Sequence, residues 1–389
     1  MDTDKLADKM KLSWVQTMLL YLSVTIGIFT VALPALTAAP YPNRDLWLVP
    51  FLMVPGVLVV GSIAVRLGLF FPRQTIIEYS KTLTGPFIGT MIALTYISWY
   101  TCFAALNLRL TSDFFITGFL PDTPVSVITG AMVVTSAYAA RHGYQVLARV
   151  NQLLIPFIVG LVWVLFFLSL PEIKLANLSP IMAGGINHLV HNTIVPFSVF
   201  SDIVNIVMLI PYLTEPNQAP RVVRWGVTVS GLHLLVFIFT VIAVFGIDAA
   251  KTLVYPGLSL ARQIDIANFI QRVEIAILVI LLGGIFVRTS LGLLWASLAV
   301  AQAFNLNRYE PVVFPLALLA SAMAFLLGDS TLEYTALFKP GFIAPYSLVH
   351  SLAIPLLLLL LAYLKMGRPS PSGTPVHPDQ GCNETADAR

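Results

Sequence analysis

The sequence predicts an all-α membrane protein with ten transmembrane helices, and two features carry that prediction. Of its 389 residues, 57% are hydrophobic and only 11% are charged, whereas soluble domains carry roughly 25% charged residues. Apolar stretches of roughly 18 residues or more recur between proline, glycine and charged residues, and each can cross the hydrocarbon core as a helix. We therefore expect one transmembrane domain over residues 1–366. A disordered cytoplasmic tail, rich in Pro, Ser, Gly and Asp, is expected over residues 367–389.

The apolar stretches place ten helices, which we name by their order as the first to the tenth helix. The expected ranges are residues 13–38, 46–69, 84–118, 123–140, 149–170, 192–213, 221–246, 271–303, 311–328 and 342–365. Two connections, 171–191 and 247–270, are long enough to hold a short interfacial helix on the outer face. The spacing also allows two halves of five helices, with breaks in the first and the sixth.

The distribution of Lys and Arg predicts the orientation in the membrane. With the N-terminus inside, the inner segments carry 13 of these residues and the outer segments carry six. Cytoplasmic loops are enriched in Lys and Arg. Both termini are therefore expected on the cytoplasmic side.

The first helix contains residues that weaken a helix in the middle of an uncharged run. Residues 23–34 read SVTIGIFTVALP, with Ser23, Thr25 and Gly27 near the centre of Leu12–Ala39. In one interpretation Gly27 lets another helix approach closely, and the hydroxyls bond their own backbone. In the other, the helix unwinds around Thr25–Ile28 and its freed backbone groups face a ligand, because irregular backbone at membrane depth survives only where it lines a cavity.

The sixth helix carries a stripe of polar side chains beside Pro196. Ser198, Ser201, Asp202 and Asn205 follow the spacing i, i+3, i+4 and i+7, which is one face of an α-helix. A carboxylate at mid-membrane costs roughly 2.5–3.5 kcal/mol on insertion scales. The stripe is either a hydrogen-bonded seam between helices or one wall of a cavity, and four polar groups beside a proline favour the cavity.

Arg288 is the single charge in the 27-residue run Ile275–Ala301, thirteen residues from either end. That separation is about 20 Å at 1.5 Å per residue, too far for its side chain to reach water along lipid. Arg288 must therefore face the protein interior and find acceptors there, either as a structural ion pair or as part of a ligand site. Arg109 and Asp113, at i and i+4 in the third helix, are expected to form a structural ion pair.

The sequence offers no sign of catalysis or of a cofactor. It has no HExxH, GxSxG or nucleotide-binding loop, and its two cysteines, Cys102 and Cys382, form no metal-binding spacing. The net charge of +3 comes without a basic block, so nucleic acid is not expected as a partner. We expect no enzyme activity, no cofactor and no metal.

Three stretches together resemble the germination permease family, the B subunit of bacterial spore germinant receptors. They are VYPGLSLARQIDIANFIQRVEIAILVILLGGIFVRTSLGLLWASLAVAQAFNL (residues 254–306), the GxxxxALP of Gly27–Pro34, and MLIPYL at the end of the sixth helix. The Tyr-Pro pair followed by Arg272, Glu274 and Arg288 is the most specific part. The resemblance spans about residues 12–365. It implies the fold of the amino acid–polyamine–organocation superfamily, a five-plus-five inverted repeat with broken first and sixth helices.

The resemblance also implies a pocket for a small molecule, typically an amino acid, at the two breaks. Carried over by position, the pocket residues are Thr25, Ile26, Gly27, Ile28, Trp99, Phe103, Phe200, Ser201, Asp202, Val287 and Arg288. The implied partners are an A subunit and a C-subunit lipoprotein in the lipid of the spore inner membrane. In sodium-coupled relatives a cation lies between the first and eighth helices, and Arg288 is placed to take its position.

Two functions remain open at this point. One is a sensor subunit that binds a germinant and signals through partner chains. The other is a secondary transporter that moves an amino acid with protons or sodium. The fold serves both, so fold alone does not decide between them. An ion channel is less favoured, because the sequence shows no filter.

Overall fold

The computed structural model describes residues 10–37, 43–182, 184–263, 274–328 and 343–366, which form a bundle of helices. Seven helices in this part of the chain are long and apolar enough to cross a membrane, and three shorter apolar helices match the first, fourth and ninth predicted spans. The all-α membrane class is therefore confirmed, and the count of ten spans stays a prediction. The tail over 367–389 and Arg272 lie outside the described residues.

The observed helices overlap the predicted ranges, although the fifth and the sixth begin six and seven residues earlier than predicted. Their bounds, from the first to the ninth, are Trp14–Thr37, Val49–Phe70, Pro86–Gly118, Val125–Arg141, Gly143–Ser169, Gly185–Phe200, Ala219–Ala250, Glu274–Ala303 and Glu310–Leu326. The sixth continues as a 3₁₀-helix over Ser201–Met208. The tenth is α-helical over Ile343–Leu348, π-helical over Val349–Ala353 and α-helical again over Ile354–Met366. Proline lies in the first turn of the third, seventh and ninth helices, where its missing N–H breaks no bond.

Contacts between the loops show which connections lie at the same end of the bundle. At one end the backbone of Leu12 bonds Tyr212 O at 2.8 Å and accepts from Thr214 N at 2.9 Å. At the same end Lys81 Nζ donates to Ala303 O at 2.6 Å, in the last turn of the eighth helix. These segments are the ones the Lys and Arg distribution assigns to the cytoplasm.

The opposite end joins the connections that are predicted to lie outside. The backbone N–H of Met182 donates to Asp45 Oδ1 at 2.7 Å, and Arg262 Nη2 donates to Gly118 O at 2.9 Å. Each pair links two connections that both follow odd-numbered helices. The alternation of the predicted spans is therefore consistent with the packing of the loops.

The connections contain more local structure than the apolar runs indicate. A short helix, Ile76–Thr84, precedes the third helix and begins with a capping box in which Thr75 N donates to Glu78 Oε2 at 3.0 Å. Sequence reading missed it because it is short and charged. The connection 247–270 holds the helix Pro256–Gln263, as expected, whereas 171–191 contains two 3₁₀ turns and the first residues of the sixth helix.

Gly246 ends the seventh helix in effect, since its φ of 75° and ψ of 163° interrupt the helical backbone. A residue with a side chain is strained at this φ. The carbonyl of Ala243, left free by the interruption, accepts from Lys174 N at 3.0 Å and from Asn177 Nδ2 at 2.9 Å. The outer connection between the fifth and sixth helices thereby caps the seventh.

The eighth helix lies at the centre of the bundle and contacts the first, third, fourth, fifth and ninth helices. Between Ile280 and Ala299 every side chain is buried except Leu282 and Phe286, which are half-buried. Burial on every side shows that this helix is enclosed by other helices. This enclosure places Arg288 in the interior of the molecule.

Candidate functional site

Arg288 binds groups from three other helices at the middle of the bundle. Its Nη2 donates to Asp202 Oδ2 of the sixth helix at 2.8 Å, and its Nη1 donates to the backbone carbonyl of Val24 in the first helix. Its Cζ lies 3.9 Å from the ring centroid of Phe103 in the third helix, within the range of a cation–π contact. Only 1% of the Arg288 side chain and 2% of the Asp202 side chain are exposed. One side chain therefore holds four helices together without contact with lipid.

Part of the Arg288 guanidinium stays without a partner. Its Nε is buried and makes no hydrogen bond to any described residue. Guanidinium carries five N–H donors and stays charged in proteins, and an unsatisfied buried donor costs about 1–3 kcal/mol. The site therefore retains an unused donor beside a charge pair.

The sixth helix changes from α to 3₁₀ geometry at Ser201, directly before Asp202. The run SDIVNIVM contains β-branched and short polar residues, which are weak α-helix formers. In a 3₁₀-helix the side chains at i and i+3 lie in line. Asp202 and Asn205 therefore form a polar ridge, while Ile203, Ile206 and Leu209 form an apolar one.

The polar ridge is tied to the third helix. The hydroxyl of Tyr100 donates to Asn205 Oδ1 at 3.0 Å, and both side chains are buried. The bond fixes the amide so that its Nδ2 group is the part left for another acceptor. The third helix thus supports two site residues, Asn205 through Tyr100 and Arg288 through Phe103.

Both ridges line a narrow cavity between the inner halves of the first, sixth and eighth helices. The lining residues are Thr17, Leu20, Tyr21, Val24, Asp202, Ile203, Asn205, Ile206, Leu209, Val222, Leu291 and Trp295. They lie between the Arg288–Asp202 pair and the end of the bundle that holds the Leu12–Tyr212 bond. The cavity is therefore on the side of the pair that is predicted to face the cytoplasm.

The residues expected in a pocket divide into three groups. Phe103, Asp202 and Arg288 come together as described, and Trp99 stacks on Phe103 with centroids 5.6 Å apart. Ile26, Phe200 and Val287 are buried in the apolar core, and the Ser201 hydroxyl bonds Phe197 O of its own helix at 2.7 Å. The surroundings of Gly27 and of the Ile28 side chain lie outside the part of the structure that is described. Of the eleven residues, Asp202 lines the cavity.

The unwinding expected around Thr25–Ile28 is not observed, since Trp14–Thr37 is one helix. Thr25 Oγ1 lies 3.1 Å from Tyr21 O and 3.0 Å from Leu22 O in its own helix, and 2.8 Å from Ser230 Oγ of the seventh helix. The hydroxyl is thus satisfied by local backbone and by a neighbouring helix. At Thr25 the close-packing interpretation of the stretch therefore holds.

The ion pair expected in the third helix is present. Arg109 Nε lies 3.2 Å from both carboxylate oxygens of Asp113, and both side chains are largely buried. Neither residue lines the cavity described above. The pair is consistent with the structural role that the sequence suggested.

Sequence reasoning missed several residues around the site. Tyr21 and Trp295 line the cavity, Tyr100 holds Asn205, and His350 of the tenth helix is wholly buried against Tyr100. Aromatic residues in apolar helices carry no signal of their own. His350, however, is a lone ionisable residue in an apolar run, and the reasoning applied to Arg288 would have found it.

Comparison with known families and sequences identifies relatives along most of the chain. Residues 11–331 match a family model described as "Spore germination protein". Spore germination protein YndE of Bacillus subtilis (strain 168) is 25% identical over 366 residues, 90% of this chain and 96% of that protein. Spore germination protein B2 of the same organism is 25% identical over 372 residues, 92% of this chain and 97% of that protein.

Comparison with solved structures identifies the fold. The crystal structure of MhsT in complex with L-phenylalanine has a TM-score of 0.63 at 13% identity, covering 92% of this chain and 90% of that one. Mhp1, a nucleobase-cation-symport-1 family transporter, gives 0.61 at 12% identity, covering 92% and 79%. At these identities the likeness shows that the chain has the fold of these transporters, and it carries no information on the ligand.

Proposed function

The chain belongs to the family of spore germination proteins, and from that premise we propose that it is the germinant-sensing membrane subunit of a spore germinant receptor. It binds a small molecule, such as an amino acid, beside the Arg288–Asp202 pair and signals to partner subunits without catalysing a reaction. Family membership and the transporter fold support the proposal. The integral membrane character follows from the apolar helices and the family.

The observation that carries the proposal is the Arg288–Asp202 pair at the junction of four helices beside a cavity. A buried ion pair is weak support for stability, because apolar residues of similar volume often stabilise as well or better. Ionisable residues inside a membrane domain usually mark a ligand or ion site. A ligand that binds here touches the group that fixes the helices relative to one another.

The chemistry of the cavity suits a ligand that is zwitterionic or neutral. Arg288 bonds Oδ2 of Asp202, which leaves Oδ1 as an acceptor, and the Asn205 amide offers a donor one 3₁₀ turn away. The two positions are about 6 Å apart along the helix at 2.0 Å per residue. Since the pair is neutral overall, a ligand with a net charge would enter the low-dielectric interior uncompensated. A small apolar amino acid meets both requirements, and its entry requires the narrow cavity to widen.

The proposed partners are an A subunit and a C-subunit lipoprotein, within the lipid of the spore inner membrane and with both termini on the cytoplasmic side. The resemblance carried by residues 254–306 supports the partners, and the distribution of Lys and Arg supports the orientation. Co-purification of the full chain with A and C subunits from spore membranes tests this assignment. Recovery of the chain without either subunit contradicts it.

Reconstitution of the purified protein in liposomes separates the proposed sensor from a proton- or sodium-coupled amino acid transporter. A panel of radiolabelled amino acids is offered, and both bound and accumulated label are measured under imposed proton and sodium gradients. The sensor binds a member of the panel without accumulating it inside. Accumulation driven by a gradient assigns the chain to the transporters instead. Asp113→Asn serves as a matched control, because it breaks a buried pair that does not line the cavity.

A further inference from the structure

Four side chains from three helices form a continuous stack that begins at the charge pair. The Arg288 guanidinium lies over Phe103 at 3.9 Å, and Phe103 stacks on Trp99 with centroids 5.6 Å apart and an interplanar angle of 24°. Trp99 in turn stacks on His350 at 5.0 Å and 26°. The stack crosses the third helix and joins the eighth helix to the tenth.

The last member of the stack, His350, is unusual in its surroundings. It is 0% exposed, and neither ring nitrogen has a hydrogen-bond partner among the described residues. The hydroxyl of Ser351 beside it is also buried without a partner in this part of the chain. Buried polar groups without partners cost about 1–3 kcal/mol each, and native structures keep few of them. The position of the His350 ring therefore depends on its aromatic neighbours.

His350 lies in the π-helical segment Val349–Ala353, which packs against the 3₁₀ segment of the sixth helix. The Tyr96 hydroxyl donates to His350 O at 3.0 Å and so holds the backbone of the π segment. Short π segments within α-helices occur often at functional sites. These two irregular segments thus face each other, one carrying Asp202 and the other His350.

We propose that the stack couples the Arg288–Asp202 pair to the π segment of the tenth helix, with His350 as a positioning residue for Arg288. Aromatic pairs at these separations contribute beyond their buried area, and a planar guanidinium prefers one orientation over a ring. A change at either end therefore alters the packing at the other. On the proposed function, this is the route by which occupancy of the site reaches the tenth helix.

Coupling between two sites is reciprocal. The Arg288–Asp202 pair can therefore be perturbed while the effect is measured at His350. The full-length protein is labelled with [ring-¹⁵N]histidine in detergent micelles, and His350→Gln identifies the His350 signal. Asp202→Asn, which removes the counter-charge of Arg288, shifts that signal. Asp113→Asn breaks the buried Arg109–Asp113 pair within the third helix and leaves the signal in place. If Asp202→Asn does not fold, Arg288→Lys is the alternative perturbation, since it keeps the charge but not the planar group.

The stack has a competing route, because Tyr100 contacts both Asn205 and the His350 ring, with centroids 5.8 Å apart in the second contact. Phe103→Leu interrupts the stack and leaves Tyr100 in place. In that background the shift caused by Asp202→Asn is lost, and Phe103→Tyr, which keeps a ring, restores it. A shift of full size in Phe103→Leu, or the absence of any shift in the wild-type background, overturns the proposal. No germinant is needed, so failure here is distinguishable from failure of the proposed function.

Discussion

Arg288 Nη1 donates to the backbone carbonyl of Val24, so a side chain of the eighth helix is bonded to the main chain of the first. The carbonyl lies one turn before Ile28, within a helix that continues to Thr37. A permanent cation therefore lies between these two helices. Because guanidinium stays charged when buried, the charge needs no ion from solution.

Ligand binding is expected to be independent of sodium. Replacing sodium with choline at constant ionic strength should change the Kd of the labelled amino acid less than twofold, because Arg288 already supplies the positive charge. The measurement is equilibrium binding to the purified protein. A tenfold loss of affinity without sodium, which corresponds to about 1.4 kcal/mol, would show that an ion is required and that Arg288 does not replace it.

Removing one member of the Arg288–Asp202 pair should destabilise the fold strongly. Arg288→Gln leaves a buried carboxylate without its counter-charge, and breaking a buried pair in this way costs about 3–5 kcal/mol. Arg288→Lys should cost less, since it restores the charge without the planar fork. The free energy of unfolding in detergent micelles, measured with denaturant, gives the comparison.

The double variant Arg288→Gln with Asp202→Asn tests the cause of that loss. Two neutral amides remove the unpaired charge, so the double variant should be more stable than either single variant. Additive losses of unfolding free energy would mean that packing, rather than charge, explains the effect.

Arg109→Gln is the matched control for binding measurements on these variants. It breaks a buried pair away from the cavity and should leave the Kd of the folded fraction unchanged.

Lys81 should stabilise the C-terminus of the eighth helix. Its Nζ donates to Gln302 O at 2.9 Å and to Ala303 O at 2.6 Å, and a cation at a helix C-terminus also interacts favourably with the helix dipole. Lys81→Met should lower the free energy of unfolding by about 1–2 kcal/mol. Lys251→Met is the control, because the Lys251–Asp248 pair is exposed and such pairs contribute about 0–1 kcal/mol. Equal losses of unfolding free energy in the two variants would show that Lys81 does not cap the eighth helix.

Much of the architecture was accessible from the sequence because the membrane imposes simple rules. Apolar length sets where helices begin and end, and the helices at Pro86–Gly118 and Glu274–Ala303 match their predicted ranges within three residues. The interior position of Arg288 followed from its distance to either end of an apolar run. The acceptor that a mid-depth cation requires is Asp202 of the sixth helix.

The local backbone of the site was harder to predict. The polar stripe of the sixth helix was assigned with α-helical spacing, but the 3₁₀ geometry after Phe200 aligns Asp202 with Asn205 and separates both from Ser198. The π segment around His350 was equally hard to predict. The hydrogen-bond spacings of 3₁₀-, α- and π-helices differ by one residue, and this difference leaves no clear trace in composition. Which hydroxyl bonds a neighbouring helix also depends on packing partners that are distant in sequence.

Thr25 gives the sharpest test of the first helix. Its hydroxyl lies 2.8 Å from Ser230 Oγ, so Thr25→Val leaves the Ser230 hydroxyl buried without that partner, at a cost of about 1–2 kcal/mol. A double-mutant cycle with Ser230→Ala should give a coupling energy near the average of about 0.6 kcal/mol for hydrogen bonds between membrane helices. If this helix remains wound when ligand is bound, Thr25→Val leaves the Kd unchanged. A tenfold rise in Kd at unchanged stability would instead place the ligand at Thr25 and restore the unwound form as the binding state.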